Sequence, residues 1–330
     1  MCIRKSIILI AGILFLFWTG CSDHANLEQP SGITPGDYTF QISVGSLDRE
    51  YVVHVPALYS EDRPAAVVIM FHGGGGTAQD AMTETGWDEK ADQAGFLAVF
   101  PEGSRPDPEN PASFSNNPQT WNDGSGRENV GAIQRNVDDV GFVAALLADI
   151  AARFNVDQNR IYAAGFSNGA AMVFRIGREL SNSLAAIACV ASTDWLEEPY
   201  TKNPVAMLYM TGTSDPLNPI DGGEIFIGQT SYGVKPPVQQ TIQKWVQMLN
   251  CPADSNVIYN SDGVIGIAYI PCMEGSEVVF YTIEGMGHWW PGWIPPDSYP
   301  PWLMNIFGEP SDKILGTDII WEFFQTHQKK

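Results

Sequence analysis

The amino-acid sequence predicts an α/β protein in which a mostly parallel central sheet carries helices on both faces. Apolar runs such as 65–71 have the composition of strands that are buried on both faces. Segments with apolar residues at helical spacing, such as 138–154, alternate with these runs along the chain. Strands that alternate with helices need crossover connections, which make neighbouring strands parallel and place helices on the faces of the sheet. The 330 residues are 44% hydrophobic and 17% charged, as expected of a globular chain with a sizeable core.

The strands are predicted from alternation near the start of the chain and from continuous apolar runs after it. Residues 38–44 and 50–55 alternate between apolar and polar side chains across a turn at 45–48, which predicts a strand pair. Pro101 ends a further strand at 96–100. The remaining predicted strands are 65–71, 160–164, 184–191, 205–211 and 278–283.

Helices are predicted where apolar residues recur every three or four positions. In 138–154 these residues are Val140, Val143, Ala144, Leu147, Ile150, Ala151 and Phe154. The other predicted helices are 79–94, 168–180, 237–249 and 314–325. The segment 102–135 is rich in Pro, Asn, Ser and Gly, and connections of this length are usually functional or mobile. Because no internal repeat or linker divides 37–330, a single domain is predicted there.

Residues 1–20 are predicted to be a secretory signal of the lipoprotein type rather than part of the fold. Arg4 and Lys5 give this segment a basic start, and the apolar stretch 7–18 follows. The stretch has about a dozen residues, which is too short for a stable membrane anchor of about twenty.

Residues 18–21 resemble the lipobox of bacterial lipoproteins, in which the cysteine is lipidated and becomes the new N-terminus. The resemblance implies lipidation at Cys21. The polar residues of 21–36, with their Pro and Gly, would then form a tether between the lipid and the domain at 37–330. We therefore expect an extracytoplasmic protein, held at the cell envelope by its lipid or, as the alternative, secreted.

The charge balance excludes two classes of partner. The formal net charge is −20, from 18 Lys and Arg against 38 Asp and Glu. A surface this acidic repels nucleic acid and anionic lipid. We therefore expect no nucleic-acid partner, and contact with a membrane only through the N-terminal lipid.

Two of the five cysteines are candidates for a disulfide. Cys251 and Cys272 flank a short section and could bridge in an oxidising compartment, with two separate thiols as the alternative. Closing a loop of about twenty residues would stabilise the fold by roughly 3 kcal/mol in the chain-entropy model. Cys189 lies in an apolar run and is predicted to be a small buried hydrophobe. No spacing of Cys and His suggests zinc, and we expect neither a metal nor another cofactor.

The pentapeptide Gly-Phe-Ser-Asn-Gly at 165–169 is the most informative motif. It follows the strand 160–164 and opens the helix 168–180, which is the setting of a nucleophile elbow. In such an elbow a serine on a tight, strained turn presents its hydroxyl clear of the backbone. The flanking glycines leave room for the helix to pack against neighbouring strands. Ser167 is therefore the candidate nucleophile.

A serine hydroxyl needs a base, and the base needs an acid that holds its tautomer. Asp215 and His288 each follow a predicted strand, and the carboxyl ends of strands are where such groups meet in an open α/β sheet. The chain order Ser167, Asp215, His288 is the order found in α/β-hydrolases.

The alternatives for base and acid are few. His24 lies in the tether, His54 within a strand and His327 near the C-terminus, while His72 precedes a glycine run and is interpreted as structural. Asp194 follows another strand and is the rival acid, with a helix cap or turn as its alternative role.

The glycine run after the strand 65–71 is the candidate oxyanion loop. Residues 72–76, His-Gly-Gly-Gly-Gly, match the His-Gly-Gly-Gly type of loop, whose glycines let the backbone approach a ligand closely. Each backbone N–H donor aimed at an oxyanion lowers the barrier by roughly 3 kcal/mol. The predicted donors are the N–H groups of Gly74 and Asn168. A phosphate loop is the weaker interpretation, because no Gly-Lys-Ser/Thr follows.

The chain carries six motifs as a set, at 72–77, 121–124, 138–142, 165–169, 212–215 and 287–292. Together they resemble the poly(3-hydroxybutyrate) depolymerase and feruloyl esterase-like family of α/β-hydrolases, which is similar to carbohydrate esterase family one. The resemblance implies an α/β-hydrolase fold and a triad of Ser167, Asp215 and His288. It also implies a disulfide between Cys251 and Cys272.

Aromatic and acidic residues near these motifs suggest two kinds of contact. Trp121 and Trp290 are predicted walls of the substrate site, because indole rings offer flat surfaces to a phenolic ring or sugar; packing in the core is the alternative. Asp123 and Glu128 could bind calcium, but their spacing is not that of an EF-hand and solvation is the favoured interpretation.

These residues together predict a serine carboxylic-ester hydrolase that works through an acyl-enzyme. The resemblance implies substrates that are hydroxycinnamoyl (feruloyl) polysaccharide esters or short polyhydroxyalkanoate-type esters. An acetyl-xylan or general short-chain esterase comes next. A serine peptidase on the same fold would usually carry a large accessory domain. A non-catalytic surface protein would not need a complete triad and an oxyanion loop.

Overall fold

The structure, a computed structural model, describes residues 32–329. The predicted signal at 1–20, the lipidation site Cys21 and the greater part of the tether 21–36 lie outside the described residues. Within the described part of the chain, no helix combines the length and the apolar character needed to cross a membrane.

The strands follow the predicted order and include four more. They are β1 (Gly36–Val44), β2 (Leu47–Val55), β3 (Ala65–Phe71), β4 (Leu97–Pro101), β5 (Val156–Phe166), β6 (Ala186–Val190), β7 (Ala206–Gly212), β8 (Gly223–Ile227), β9 (Thr230–Lys235), β10 (Asn256–Ser261), β11 (Val264–Tyr269) and β12 (Val278–Ile283).

The helices flank these strands. They are α1 (Ala78–Thr85), α2 (Trp87–Ala94), α3 (Gly131–Gln134), α4 (Asp139–Arg153), α5 (Asn168–Glu179), α6 (Val238–Met248), α7 (Pro301–Phe307) and α8 (Gly316–Gln325). The predicted helix 79–94 is two helices, because Gly86 adopts a left-handed conformation with φ 61° that ends α1 and starts α2.

Ten strands form one sheet in the order β1-β2-β4-β3-β5-β6-β7-β12-β11-β10. The central strands from β4 to β12 in this order are parallel, and the outer pairs on both sides are antiparallel. The carboxyl ends of β3, β5, β7 and β12 therefore lie along one edge of the sheet. Strands β8 and β9 form a separate hairpin in the connection between β7 and α6.

Helices cover both faces of the sheet, as predicted. On one face α4, α5 and α6 bury Phe142, Phe174 and Trp245 against the strands. On the other face α1, α2 and α8 form a second apolar layer that includes Trp87 and Phe324. The predicted α/β class with a mostly parallel sheet between two helical layers is confirmed.

Candidate active site

Ser167 occupies a strained turn between β5 and α5. Its backbone has φ 53° and ψ −121°, which a non-glycine residue adopts only when its surroundings enforce it. A Cβ on Gly165 would lie 2.6 Å from the carbonyl carbon of Gly169, and a Cβ on Gly169 would lie 2.3 Å from the carbonyl oxygen of Phe71. The two glycines therefore let the helix cross directly over the strands, and this close packing holds the serine in its turn.

The side chains of Ser167, His288 and Asp215 form a continuous hydrogen-bonded chain. The distance from Ser167 Oγ to His288 Nε2 is 2.8 Å, and the distance from His288 Nδ1 to Asp215 Oδ2 is also 2.8 Å. When Nδ1 carries the proton, the imidazole donates to the carboxylate and leaves Nε2 free to accept the serine proton. The imidazole and the carboxylate are buried.

Backbone donors hold the Asp215 carboxylate on its other side. Oδ1 accepts hydrogen bonds of 2.8 Å from the N–H groups of Leu217 and Asn218. The aspartate is thus satisfied on both oxygens, and its Oδ2 is aimed at the imidazole of His288. A side chain in this position can keep the imidazole in one tautomer and one orientation.

The predicted oxyanion donors lie beside the serine. A Cβ on Gly74 would lie 3.5 Å from Cβ of Asn168, and one on Gly73 would lie 3.5 Å from Cβ of Ser167. Across residues 32–329 no acceptor is hydrogen-bonded to the N–H of Gly74 or of Asn168, whereas the N–H of Gly75 donates to Gln119 over 2.7 Å. Two backbone donors are therefore available next to the hydroxyl, which is the requirement for stabilising a tetrahedral oxyanion.

Three hydrogen bonds of its side chain hold Asn168 in place. Its Oδ1 accepts the backbone N–H of Trp121 at 2.7 Å, and its Nδ2 donates to the carbonyl of Trp121 at 3.1 Å and to Asp123 Oδ2 at 2.8 Å. Arg127 donates to the same Asp123 oxygen over 2.6 Å. The long segment 102–135 thus positions the residue that follows the nucleophile.

His72 is structural, as the sequence analysis proposed, and it holds the oxyanion loop. Its Nδ1 donates to the carbonyl oxygen of Gly73 over 2.7 Å, and its Nε2 accepts the N–H of Gly103 over 2.9 Å. Burial lowers the pKa of His72 to about 4, so the ring is neutral at ordinary pH.

His72 makes the fold sensitive to acid. The pKa of its imidazole is about 4 in the folded chain and 6.5 when unperturbed, so the unfolded chain takes up the proton first as the pH falls. The free energy of unfolding is therefore not reduced by this group above pH 6.5. It falls by about 3 kcal/mol in total as the pH drops from 6.5 through 4. Urea unfolding between about pH 7 and pH 4.5 should show wild type losing about 2 kcal/mol more than His72→Gln. Parallel profiles for the two proteins would contradict this.

The two predicted tryptophan walls are wrong for this structure. Trp121 is fully buried, and its indole Nε1 donates to the carbonyl of His72 over 3.0 Å. Trp290 is also buried, and its Nε1 donates to Thr317 Oγ1 over 3.0 Å. Neither ring presents a face to a ligand, because Trp121 packs against Phe71 and His72 and Trp290 belongs to the apolar layer that includes Phe324.

Three other aromatic rings lie near His288. Phe307 lies 5.9 Å from the His288 ring, and Phe114 lies 6.3 Å from Phe307 and 6.1 Å from Trp302. Phe114 is 44% exposed and Trp302 is 48% exposed. A Cβ on Gly75 would lie 2.8 Å from the Phe114 ring, so this ring also covers the oxyanion loop. These three residues, Phe114, Trp302 and Phe307, form what we call the aromatic rim.

The remaining candidates have structural partners. Asp194, the rival acid, accepts 3.0 Å bonds from Arg178 and from the indole of Trp245, so it serves a buried ion pair. Cys251 and Cys272 are joined as a disulfide. Within residues 32–329, no group of three or more His, Cys, Asp or Glu side chains is placed to hold a metal ion.

Calcium has little to bind at the loop that the sequence suggested. Asp123 is buried and is already hydrogen-bonded to Arg127, Asn168 and the N–H of Ser125, while Glu128 is exposed. The role of Asp123 as a hydrogen-bond partner of Asn168 in the elbow was not predicted from the sequence. Only the motif Trp-Asn-Asp-Gly at 121–124 indicated that the segment has a fixed position.

Known proteins resemble this chain at low identity. Feruloyl esterase B of Piromyces equi is 26% identical over 246 residues, which cover 73% of this chain and 42% of that protein. Feruloyl esterase D of Neurospora crassa is 23% identical over 272 residues, which cover 82% of this chain and 81% of that protein. The chain thus spans less than half of the Piromyces relative and most of the Neurospora one.

A solved structure shares the fold. The acetyl xylan esterase from Aspergillus awamori superposes with a TM-score of 0.53 at 13% identity and covers 82% of this chain and 99% of its own. At this identity the likeness concerns the architecture alone. The sequence profile of the phospholipase/carboxylesterase family matches residues 56–227, just over half of the 330 residues. The chain therefore belongs to the phospholipase/carboxylesterase family, with an α/β-hydrolase fold, and is a serine carboxylesterase-type hydrolase.

Proposed function

We propose that this chain releases hydroxycinnamic acids, such as ferulic acid, from their carboxylic esters, with Ser167 as nucleophile, His288 as general base and Asp215 as the orienting acid. The observation that carries the proposal is the unbroken series of 2.8 Å hydrogen bonds from Asp215 through His288 to Ser167. A hydroxyl, an imidazole and a carboxylate in this order activate a serine for attack on an acyl carbon.

The first half-reaction transfers the acyl group to the protein. His288 Nε2 accepts the proton of Ser167 as Oγ forms a bond to the ester carbonyl carbon. The resulting oxyanion accepts hydrogen bonds from the N–H groups of Gly74 and Asn168. The bond from carbon to the leaving oxygen then breaks, and His288 returns the proton to the departing alcohol. The product is an ester on Ser167.

The second half-reaction restores the serine. His288 accepts a proton from a water molecule, whose oxygen bonds to the acyl carbon. The same two N–H groups stabilise the second oxyanion. The bond from carbon to Ser167 Oγ then breaks, the serine regains a proton from His288, and the free acid leaves.

The aromatic rim supports an aromatic acyl group. Phe114 and Trp302 are exposed on one side and close to Phe307, which contacts the ring of His288. An acyl group on Ser167 that lies on the Phe307 side of His288 would meet these rings, which favour a planar phenyl ring over a short aliphatic chain. The feruloyl esterases of Piromyces equi and Neurospora crassa, both similar to this chain, point to the same acyl class.

A substrate comparison tests the proposal. We expect wild type to hydrolyse methyl ferulate with a kcat/KM at least about tenfold above that for ethyl 3-hydroxybutyrate or a methyl acetate reference, because only the ferulate ring reaches the aromatic rim. Phe114→Ala and Trp302→Ala should each lower kcat/KM for methyl ferulate about tenfold and leave the aliphatic esters within about threefold.

The control is Leu58→Ala, which removes an exposed apolar side chain near Ala65 and Arg160, far along the chain from the aromatic rim and at the amino ends of the parallel strands. It should leave every substrate unaffected. The proposed acyl specificity is wrong if the aliphatic esters are hydrolysed with the same kcat/KM as methyl ferulate. It is also wrong if the rim variants lower kcat/KM equally for all substrates.

A further inference from the structure

Lys235 reaches toward the site from the β8–β9 hairpin. It ends β9 and pairs with Gly223, the first residue of β8. Its ammonium donates a 3.1 Å hydrogen bond to Asn218 Oδ1. No catalytic or binding motif marks this lysine in the sequence of 223–235.

Asn218 connects Lys235 to the proposed triad. Its backbone N–H donates to Asp215 Oδ1 over 2.8 Å. Its side-chain Nδ2 donates to Tyr209 Oη over 2.7 Å and to Thr211 Oγ1 over 3.0 Å. The asparagine is buried, and these bonds turn its Oδ1 toward the lysine. A series of hydrogen bonds therefore runs from the hairpin to the carboxylate that contacts His288.

The charge of Lys235 also interacts with the carboxylate of Asp215. Burial lowers the pKa of its amine to about 8, and the carboxylate of Asp215 partly offsets this effect. The other charged groups that act on Lys235 are Arg127, which lowers its pKa, and Asp123, which raises it. Below about pH 8 the lysine is thus a cation within electrostatic range of Asp215, Asp123 and Arg127.

We propose that Lys235 is a positioning residue for the triad, which holds Asp215 through Asn218 and stabilises its negative charge. This inference rests on the proposed function, because it needs Asp215 to act with His288 and Ser167. The hydrogen bond restrains the turn that presents the carboxylate to His288 Nδ1. The positive charge of the ammonium stabilises the negative charge that the carboxylate turns toward His288.

The test is a pH profile of wild type, Lys235→Met, Lys235→Gln and Lys235→Arg with methyl ferulate. Lys235→Met should lower kcat about tenfold, the worth of one charge-assisted hydrogen bond, with KM changed less than about twofold. The acidic limb of its kcat/KM profile should move to higher pH by about half a pH unit, because a nearby positive charge is gone. Lys235→Arg should restore both kcat and the position of the acidic limb. Lys235→Gln should restore part of kcat, but its acidic limb should stay at the higher pH.

Lys202→Met is the matched control, since Lys202 is an exposed lysine without a hydrogen bond to the site, and it should match wild type. Thermal unfolding of each variant shows whether it is folded. If Lys235→Met does not fold, Lys235→Gln and Lys235→Arg still test the inference. The inference is overturned if Lys235→Met keeps the wild-type kcat and acidic limb. It is also overturned if activity falls with no shift of the limb and Lys235→Arg does not restore it, which would indicate a purely structural hairpin anchor.

The same assay separates this inference from the proposed function. If Ser167→Ala hydrolyses methyl ferulate as fast as wild type, the proposed function fails whatever the lysine variants do. If hydrolysis depends on Ser167 and the Lys235 variants behave as wild type, only the inference about Lys235 fails.

Discussion

Replacing Ser167 with alanine should abolish almost all ester hydrolysis, with kcat lower by about a millionfold when a triad serine is removed alone. The remaining rate would come from the oxyanion donors and from substrate binding, which the substitution leaves in place. The fold should be unaffected, because the alanine can occupy the same strained turn and, among residues 32–329, the hydrogen-bond partner of the serine hydroxyl is the imidazole of His288. Hydrolysis of a chromogenic short acyl ester, followed over hours for the variant, measures the loss.

The control for this experiment is Ser261→Ala, which changes an exposed serine at the end of β10 and should retain wild-type activity. Equal melting temperatures of Ser167→Ala and wild type would show that the lost rate is chemical. If Ser167→Ala keeps more than about a tenth of the wild-type kcat, the nucleophile is another residue and the role given to His288 loses its basis.

The central strands were the most predictable part of the fold. Strands β3 and β12 begin and end at the residues predicted, 65–71 and 278–283, because each is a largely apolar run, the first between Pro64 and His72 and the second between two glutamates. A strand that is buried on both faces is visible in composition alone. The predicted order of strands and helices then determines most of the sheet topology, since crossovers are right-handed and short.

The hairpin β8–β9 and the edge strand β10 escaped prediction for a physical reason. Strand β10 exposes nearly every side chain, and it lies at the edge of the sheet beside β11. Its residues therefore lack the alternation that one buried face imposes. The β8–β9 hairpin likewise carries polar and glycine residues, so tertiary contacts rather than local pattern decide its conformation.

The residues of the candidate site also divide into those that the sequence could predict and those that it could not. Ser167, Asp215 and His288 could be named from the sequence, because each stands directly after a strand in a recognisable glycine-containing turn. Lys235 and Phe114 could not be named, because they meet the site through contacts between segments that are far apart in sequence. Predicting them requires the positions of loops, which composition does not supply. The same limit led to the choice of Trp121 and Trp290, whose rings lie in the core.

Replacing Gly169 with alanine should destabilise the fold by about 3 kcal/mol or more. A Cβ there would lie 2.3 Å from the carbonyl oxygen of Phe71 and 2.4 Å from that of His72. Both are backbone atoms at the end of β3, so neither can move aside unless the strand or α5 shifts. The shift would also separate Gly74 from Ser167, so kcat of any folded fraction should fall as well.

The matched control is Gly131→Ala in α3, where a Cβ would lie 3.5 Å from the nearest atom, an ordinary contact. Its free energy of unfolding should lie within about 0.5 kcal/mol of that of wild type. Urea titration of the two variants, with ester hydrolysis measured on the same samples, compares them directly. Near-equal stability of Gly169→Ala and Gly131→Ala would mean that α5 can lift from β3 at little cost. The strained turn at Ser167 would then need another explanation than the close packing of these two elements.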